Sequence, residues 1–218
     1  DLRLAVKQCL EMHRTIPVEV VRAWLRQMLL GLSHLQSQGV LHRDIKSSNV
    51  FLSRGRRHLQ IGDFGLSRVL ESVSFAESCV GTPAYMSPEV MQGEKYDYHA
   101  DMWACGCICY ELCTLRLPFT GNSIMEIYEQ VTEKEPDWNC WAGFSDDLCN
   151  ITRRLLQKDA SRRPMACAIL EEELVLSEGC GVHDVPDEIW AQVALEKTSD
   201  AAGESGEGDC SNALHKTS

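Results

Sequence analysis

No apolar run in this 218-residue chain approaches the roughly 18 residues that a membrane-spanning helix needs. No basic start followed by an apolar block marks a secretory leader either. A membrane-embedded or secreted protein is therefore not expected. Basic clusters are missing as well: residues 1–170 hold 19 Lys and Arg against 20 Asp and Glu, and residues 171–218 hold 2 against 12. The net charge of −11 sits mainly in the tail, and no concentrated basic face is offered to nucleic acid. The eleven cysteines lack a framework, being odd in number and without a Cys-x-x-Cys pair, which argues against a disulfide scaffold. Cys105, Cys107, Cys109 and Cys113 crowd one segment. On a helix, however, 105 and 107 point in different directions and His99 is placed outside it, so zinc ligation has little support. They read as small hydrophobes of a buried helix in a reducing cytosol. A cytoplasmic location, with cytoskeletal and nuclear sites included, is the expectation, and the sequon Asn150-Ile151-Thr152 then has no use.

What is present fits one domain with an appendage. Over residues 18–38 the apolar Val21, Leu25, Met28, Leu29, Leu32 and Leu35 recur at three and four, which predicts an amphipathic helix with Pro17 in its first turn and Gly39 at its exit. Two short apolar runs, 49–52 and 59–61, flank a polar turn and predict a hairpin. Residues 63–89 have no periodicity, and loops that long inside a compact domain are usually functional. Residues 101–114 are apolar nearly all round, through Met102, Trp103, Ala104, Ile108, Tyr110 and Leu112, and predict a helix at the centre of the domain. Further helices are predicted at 123–132, at 145–157 with Ser145 or Asp146 as cap, and at 165–174. Beyond Leu176 the composition predicts disorder through most of 177–218, apart from one docking helix over 185–195 around Trp190. The Arg56-Arg57 and Arg153-Arg154 pairs read as solvated faces.

Chemistry concentrates in three loops. His42-Arg43-Asp44-Ile45-Lys46-Ser47-Ser48-Asn49 resembles the catalytic loop of protein kinases, H-R-D-x-K-x-x-N. Fourteen residues after Asn49 comes Asp63-Phe64-Gly65, similar to the D-F-G metal loop. Alone the tripeptide more often marks a turn, and its spacing from the first loop gives it meaning. Residues 81–89, Gly-Thr-Pro-Ala-Tyr-Met-Ser-Pro-Glu, are similar to the G-T-P-x-Y-x-[AS]-P-E segment that ends a kinase activation loop. Asp101-Met102-Trp103 resembles the D-x-W that opens the central helix, and Arg163 in Ser161-Arg162-Arg163-Pro164 matches the usual partner of Glu89. Five motifs in order resemble the protein kinase family across residues 1–175.

That resemblance implies a mainly α fold, the helical C-terminal lobe of a kinase with a small β-hairpin and without the β-rich N-terminal lobe. Its catalytic domain would run over 1–175 from the hinge and the following helix onward, with an acidic, disordered tail over 176–218. It implies ATP-dependent phosphorylation of serine and threonine hydroxyls on protein substrates, with ATP and Mg2+ as cofactors and neither nucleic acid nor membrane as partner. Asp44 would orient the hydroxyl and take its proton, and Lys46 would offset the charge of the moving phosphate. Asn49 and Asp63 would hold magnesium, which prefers such oxygens. Asp1 would meet the ribose, Phe51 would line the nucleotide, and Lys46 would touch its phosphate. His42, Phe64 and Gly65 would shape the two loops, with Gly65 allowing a sharp turn. Asp101 would accept backbone N–H groups of the catalytic loop, and Glu89 would pair with Arg163. Arg43 would meet a phosphate on the activation loop, for which Ser78 is preferred over Ser72, Ser74 and Thr82.

Lys46 and Thr82 match the serine/threonine branch. The strings Asn-Val-Phe-Leu at 49–52, Ile-Gly-Asp-Phe-Gly at 61–65 and Cys-Val-Gly-Thr-Pro-Ala-Tyr-Met-Ser-Pro-Glu at 79–89 resemble the NIMA-related group, and Asp1-Leu2 looks like the end of that group's E-G-G-D-L hinge. A glycine-rich phosphate loop, a strand lysine with its helix glutamate and the rest of the hinge are not found in these residues. The chain starts at Asp1 and is expected to be a fragment, inactive alone. Two alternatives stay open: a piece of an active kinase, or a truncated, inactive lobe that binds partners. The intact set of Asp44, Lys46, Asn49 and Asp63 favours the first.

Overall fold

The computed structural model describes residues 1–64, 68–69, 83–141, 145–172, 183 and 185–193. Helix α1 (Leu2–Glu11) opens at Asp1, whose Oδ1 accepts the N–H of Leu4 at 2.8 Å and satisfies one of the orphan donors of the first turn. Helix α2 (Val18–Ser37) turns its apolar stripe inward, burying Val21, Trp24, Leu25, Met28, Leu29 and Leu32. Pro17 takes the cap position instead of a place inside the helix, and Gly39 leaves it at φ +71°, a conformation cheap only for glycine.

Strand β1 (Val40–Leu41) follows, then a 3-10 turn (Ser47–Asn49) and strands β2 (Val50–Leu52), β3 (Leu59–Ile61) and β4 (Arg68–Val69). β2 and β3 form the antiparallel hairpin read from the sequence, with Val50 opposite Ile61 and Leu52 opposite Leu59. Asn49, included in the first run, belongs to the turn before it. β1 pairs antiparallel with β4 inside the stretch expected to lack regular structure. Two residues are too few for alternation to show in a sequence.

Helices α3 (Pro88–Met91), α4 (Tyr98–Thr114), α5 (Ile124–Glu133), α6 (Asp146–Leu155), α7 (Ala166–Leu170) and α8 (Asp187–Val193) complete the described architecture, which is mainly helical. Among the described residues no helix is long and apolar enough to cross a membrane. α4 is the central element, buried from Ala100 to Cys113 and packed against α2 on one side and α6 on the other. It starts three residues earlier than the sequence reading placed it. Asp97 caps it by accepting the His99 N–H at 2.8 Å, so His99 lies within the helix and not outside it. Even so, no group of His, Cys, Asp and Glu among the described residues is arranged to hold a metal.

Helix α6 is shorter than the span read from the sequence. Ser145 stands at its cap position, but its hydroxyl makes no capping bond, and Asp146 and Asp147 complement the exposed N–H groups of the first turn by charge. α7 covers five residues of the predicted 165–174, of which 173 and 174 lie outside the described residues. α8 falls within the predicted docking segment, and residues 194–218 lie outside the described ones.

Where α4 meets α6 the backbones approach closely. A Cβ on Gly106 would stand 2.8 Å from Leu155 Cβ, closer than real contacts allow, and a tight 3.0 Å from Leu156 Cδ2. Gly106→Ala is therefore expected to destabilise the fold by about 1–3 kcal/mol despite the better helix propensity of alanine. Urea unfolding of the two proteins measures the difference.

The thiols of α4 also set an alkaline limit. Burial pushes Cys105 and Cys107 well above the ordinary thiol range, and a hydrogen bond to Cys109 together with burial pushes Cys113 up. The folded chain keeps three protons that the unfolded chain releases above about pH 9, so the stability they contribute is complete below that pH and is lost above it. Lys158 opposes them, because burial lowers it to about 8 and the folded state releases its proton first. Cys109, lowered by its hydrogen bond with Cys113, opposes them too, and Cys9 of α1, raised by burial, adds to them, so four raised thiols against two lowered groups leave a net loss of stability as the pH rises above roughly 9.5. Denaturant midpoints at pH 8, 9 and 10 under reducing conditions test this, and a flat profile would contradict it.

Candidate active site

The 42–49 loop is fastened to α4 by its backbone. Asp101, in the first turn of α4, accepts the His42 N–H on Oδ2 at 3.0 Å, and on Oδ1 the Arg43 N–H at 3.1 Å and the Tyr96 hydroxyl at 2.7 Å. Burial pushes the Asp101 carboxyl up, and the three hydrogen bonds act against it. Burial, with the charge of Asp101 beside it, also pushes Tyr96 well up and keeps it a donor. Arg43 sits at φ +71°, a left-handed conformation costing on the order of 1–3 kcal/mol in a non-glycine residue, and the carboxylate of Asp101 helps hold it there. The Arg43 Nε is buried without a partner among the described residues.

Asp44 is the hub of the loop. Its Oδ2 accepts Lys46 Nζ at 2.7 Å and Asn49 Nδ2 at 2.8 Å, and the same Asn49 nitrogen reaches the Asp44 carbonyl at 2.9 Å. These bonds fix the side chain of Asp44 before any substrate arrives. The Asp44 N–H donates to His42 Nδ1 at 3.3 Å, which leaves the ring proton on Nε2, 3.1 Å from the Gly62 carbonyl oxygen. The His42 ring also lies against Phe64, with centroids 4.9 Å apart. The first loop thus holds the second.

Hairpin β2–β3 brings the two loops together in the first place. Its ladder pairs Val50 with Ile61, and the next bond outward runs from the Gly62 N–H to the Asn49 carbonyl oxygen at 2.9 Å. Asp63 follows at φ +62° with its carboxylate exposed, so the backbone turns sharply just beyond the ladder. Asn49 therefore touches Asp44 through its side chain and the residue before Asp63 through its backbone. Its Nδ2 is committed to Asp44, and its amide oxygen makes no bond among the described residues. An amide oxygen and a carboxylate are the donor chemistry that a hard divalent cation takes, the remaining ligands being phosphate and water. Phe51 is 45 % exposed on β2, and its ring lies so close to Gly62 that a Cβ there would meet Cε2 at 2.9 Å.

The third element stands beside Asp44. A 3-10 turn (Pro83–Tyr85) and α3 carry Tyr85, Met86 and Ser87 into a cleft shared with Arg43, Asp44 and Lys46. Tyr85 donates to Glu111 Oε2 at 2.7 Å and lies 2.9 Å from Ser47 Oγ, tying this segment to both α4 and the 42–49 loop. Burial pushes the Glu111 carboxyl up, against the hydroxyls of Tyr85 and Ser47, and pushes the Tyr85 hydroxyl far up, with the charge of Glu111 adding to it. Glu89 at the start of α3 receives two bonds of 2.6 Å from the Arg163 guanidinium.

Sequence reasoning passed over Ser47, Tyr96 and Glu111. A lone Glu in an otherwise apolar helix was the available signal for Glu111. Asp1 caps α1, which engages one of its carboxylate oxygens. Gly65, Ser78 and Thr82, with Ser72 and Ser74, lie outside the described residues.

The protein kinase domain family matches residues 3–175. The chain is 39% identical over 154 residues to serine/threonine-protein kinase Nek5 of Homo sapiens, covering 69% of this chain and 21% of that protein. It is 37% identical over 171 residues to serine/threonine-protein kinase Nek3 of Mus musculus, covering 78% and 33%. Against serine/threonine-protein kinase nekl-2 of Caenorhabditis elegans it is 31% identical over 172 residues, covering 79% and 48%. The chain therefore spans between about a fifth and about a half of these relatives' lengths. With the family matched over most of its length, the chain belongs to the protein kinase family and within it is most like the NIMA-related serine/threonine kinases.

Proposed function

We propose that this chain supplies the phosphoryl-transfer and metal-holding loops of a non-specific serine/threonine protein kinase, acting in the cytoplasm on protein substrates with ATP and Mg2+. One observation carries it: Asn49 bonds Asp44 through its side chain and Gly62, the residue before Asp63, through its backbone, so the loops that hold these two acids, 19 positions apart in sequence, meet at one end of hairpin β2–β3. In the proposed reaction the substrate hydroxyl oxygen bonds to the terminal phosphorus of ATP, the bond to the leaving diphosphate breaks, and Asp44 takes the hydroxyl proton. Lys46 stands on Asp44 at 2.7 Å, where it offsets charge on the transferring group. Asn49 and Asp63 would hold magnesium, whose part is to neutralise phosphate charge. Phe51 offers an exposed apolar face to the nucleotide, and Asp1 would meet the ribose.

The test is a peptide-library phosphorylation assay with radiolabelled ATP, run on the chain joined to whatever its transcript encodes upstream of Asp1. Transfer to serine or threonine supports the proposal, and absence of transfer by a folded protein that carries a glycine-rich loop and a strand lysine overturns it. The 218 residues by themselves are proposed to be inactive, since they include neither of those parts; tight binding of magnesium-ATP in calorimetry would contradict that. Ser78 is the proposed acceptor of an activating phosphate facing Arg43, whose buried Nε lacks a partner among the described residues. Ser78→Ala is expected to lower the activity of the complete enzyme, measured as initial rate, and an unchanged rate would remove Ser78 from that role.

A further inference from the structure

Residues 185–193 lie beyond the stretch that matches the kinase family, yet they are packed into its core. Val185, Trp190 and Val193 are buried, Trp190 to 1 % exposure. α8 has seven residues, far fewer than an isolated helix needs in water, so docking is what keeps it helical.

The docking place is specific. Trp190 meets Trp24 of α2 with ring centroids 6.4 Å apart at 47°. Asp187 Oδ1 accepts Arg57 Nη2 at 2.8 Å, and Arg57 lies in the turn that joins β2 to β3. An exposed ion pair contributes little by itself, so the three apolar side chains carry the docking and the pair sets its register. Trp24 in turn donates its indole N–H to the Arg56 carbonyl oxygen at 2.8 Å. Gln27, one turn along α2, donates to the Arg57 carbonyl oxygen at 3.0 Å and accepts the Leu59 N–H at 2.9 Å. Arg56, at φ +60°, bonds to Gln8 of α1. The hairpin turn is thus pinned by α1 and α2, and α8 closes over one of the pins, Trp24, and bonds Arg57 of the turn itself. From the turn the hairpin runs three residue pairs to Asn49 and Gly62.

We propose that residues 185–193 are an intramolecular strap whose docking on Trp24 and Arg57 holds hairpin β2–β3, and through it the position of the Asn49 and Gly62–Asp63 loops. Trp190 is then a positioning residue that acts through Trp24 and the turn. The strap is a property of the packing, and its test does not depend on the proposed enzymatic activity.

Residue-resolved hydrogen exchange on the 218-residue chain tests it, comparing the native protein with Trp190→Ala and Trp190→Phe. Trp190→Ala is expected to speed exchange at Leu59, Ile61 and Gly62 by about tenfold or more, with the amides of α4 unchanged and Trp190→Phe restoring most of the protection. Faster exchange confined to 185–193, with the hairpin unchanged, overturns the proposal, as does equal loss across hairpin and α4, which would mean general destabilisation. Should Trp190→Ala fail to fold, Val193→Ala takes its place, trimming the same buried docking face by less. It is expected to loosen the same hairpin amides while leaving those of α4 unchanged, and hairpin amides that exchange at the native rate also overturn the proposal.

Discussion

Asp44→Asn is expected to lower the proposed phosphoryl transfer by about 10²- to 10⁴-fold, the range that a positioned general base contributes, while leaving the fold standing. The two halves of that expectation come from different atoms. An asparagine side chain keeps an oxygen where Asp44 Oδ2 accepts Lys46 Nζ and Asn49 Nδ2, so the loop retains its local bonds. The loop backbone depends on Asp101, which the substitution does not touch. The amide, however, has no basic lone pair to take the hydroxyl proton and no negative charge to steady the Lys46 ammonium. The measurement is initial rate and denaturant midpoint on the catalytically competent full-length protein. A midpoint within about 1 kcal/mol of native with the rate reduced supports the assignment. Undiminished turnover would remove Asp44 from its role, and an unfolded variant would move it from chemistry to structure.

Much of this arrangement was legible in the residues because two different signals coincide in it. α2, the hairpin and α4 announce themselves by apolar period, since each must bury one face or, for α4, every face. The loops at 42–49 and 62–64 announce themselves by residue type at fixed spacing, because the proposed chemistry demands a carboxylate, a cation and an amide oxygen in a small volume. What stayed hidden lacks both signals. β1 and β4 are two residues each and exist only by pairing with one another. Glu111 looks like one polar interruption in an apolar helix until the fold brings Tyr85 and Ser47 to it from far along the chain. Tyr96 is an ordinary loop residue until Asp101 turns toward it. The start of α4 was misplaced by three residues because Asp101, a motif residue, drew the boundary away from Asp97, the residue that caps the helix. In each case the deciding contact is tertiary, and no local pattern encodes it.

Replacing Arg163 is expected to cost more stability than any other single change at the described site, about 3–5 kcal/mol for Arg163→Met. The guanidinium is 2 % exposed and has five N–H groups, and each finds an acceptor. Nε donates to the Gln157 carbonyl oxygen at 2.7 Å. One terminal nitrogen reaches Glu89 Oε1 at 2.6 Å and the His99 carbonyl oxygen at 3.0 Å. The other reaches Glu89 Oε2 at 2.6 Å and the Lys158 carbonyl oxygen at 3.1 Å. The planar group lies over the Trp103 ring, 4.9 Å from its centroid. Methionine fills much of that space but leaves a buried carboxylate and three carbonyl groups without their donor. Arg163→Lys should fare little better, since an ammonium has three donors and no fork to match the two carboxylate oxygens. Because Glu89 begins the helix that follows Tyr85, Met86 and Ser87, losing the pair also frees the segment beside Asp44. Removing both partners should be milder than removing Arg163 alone: in Glu89→Gln with Arg163→Met no charge is left stranded, so part of the loss should return. Urea unfolding of the two single variants and the double variant measures this as a cycle. Single losses that add in the double variant would mean that the two side chains are not energetically coupled, and that the segment carrying Tyr85 is held by something other than this pair.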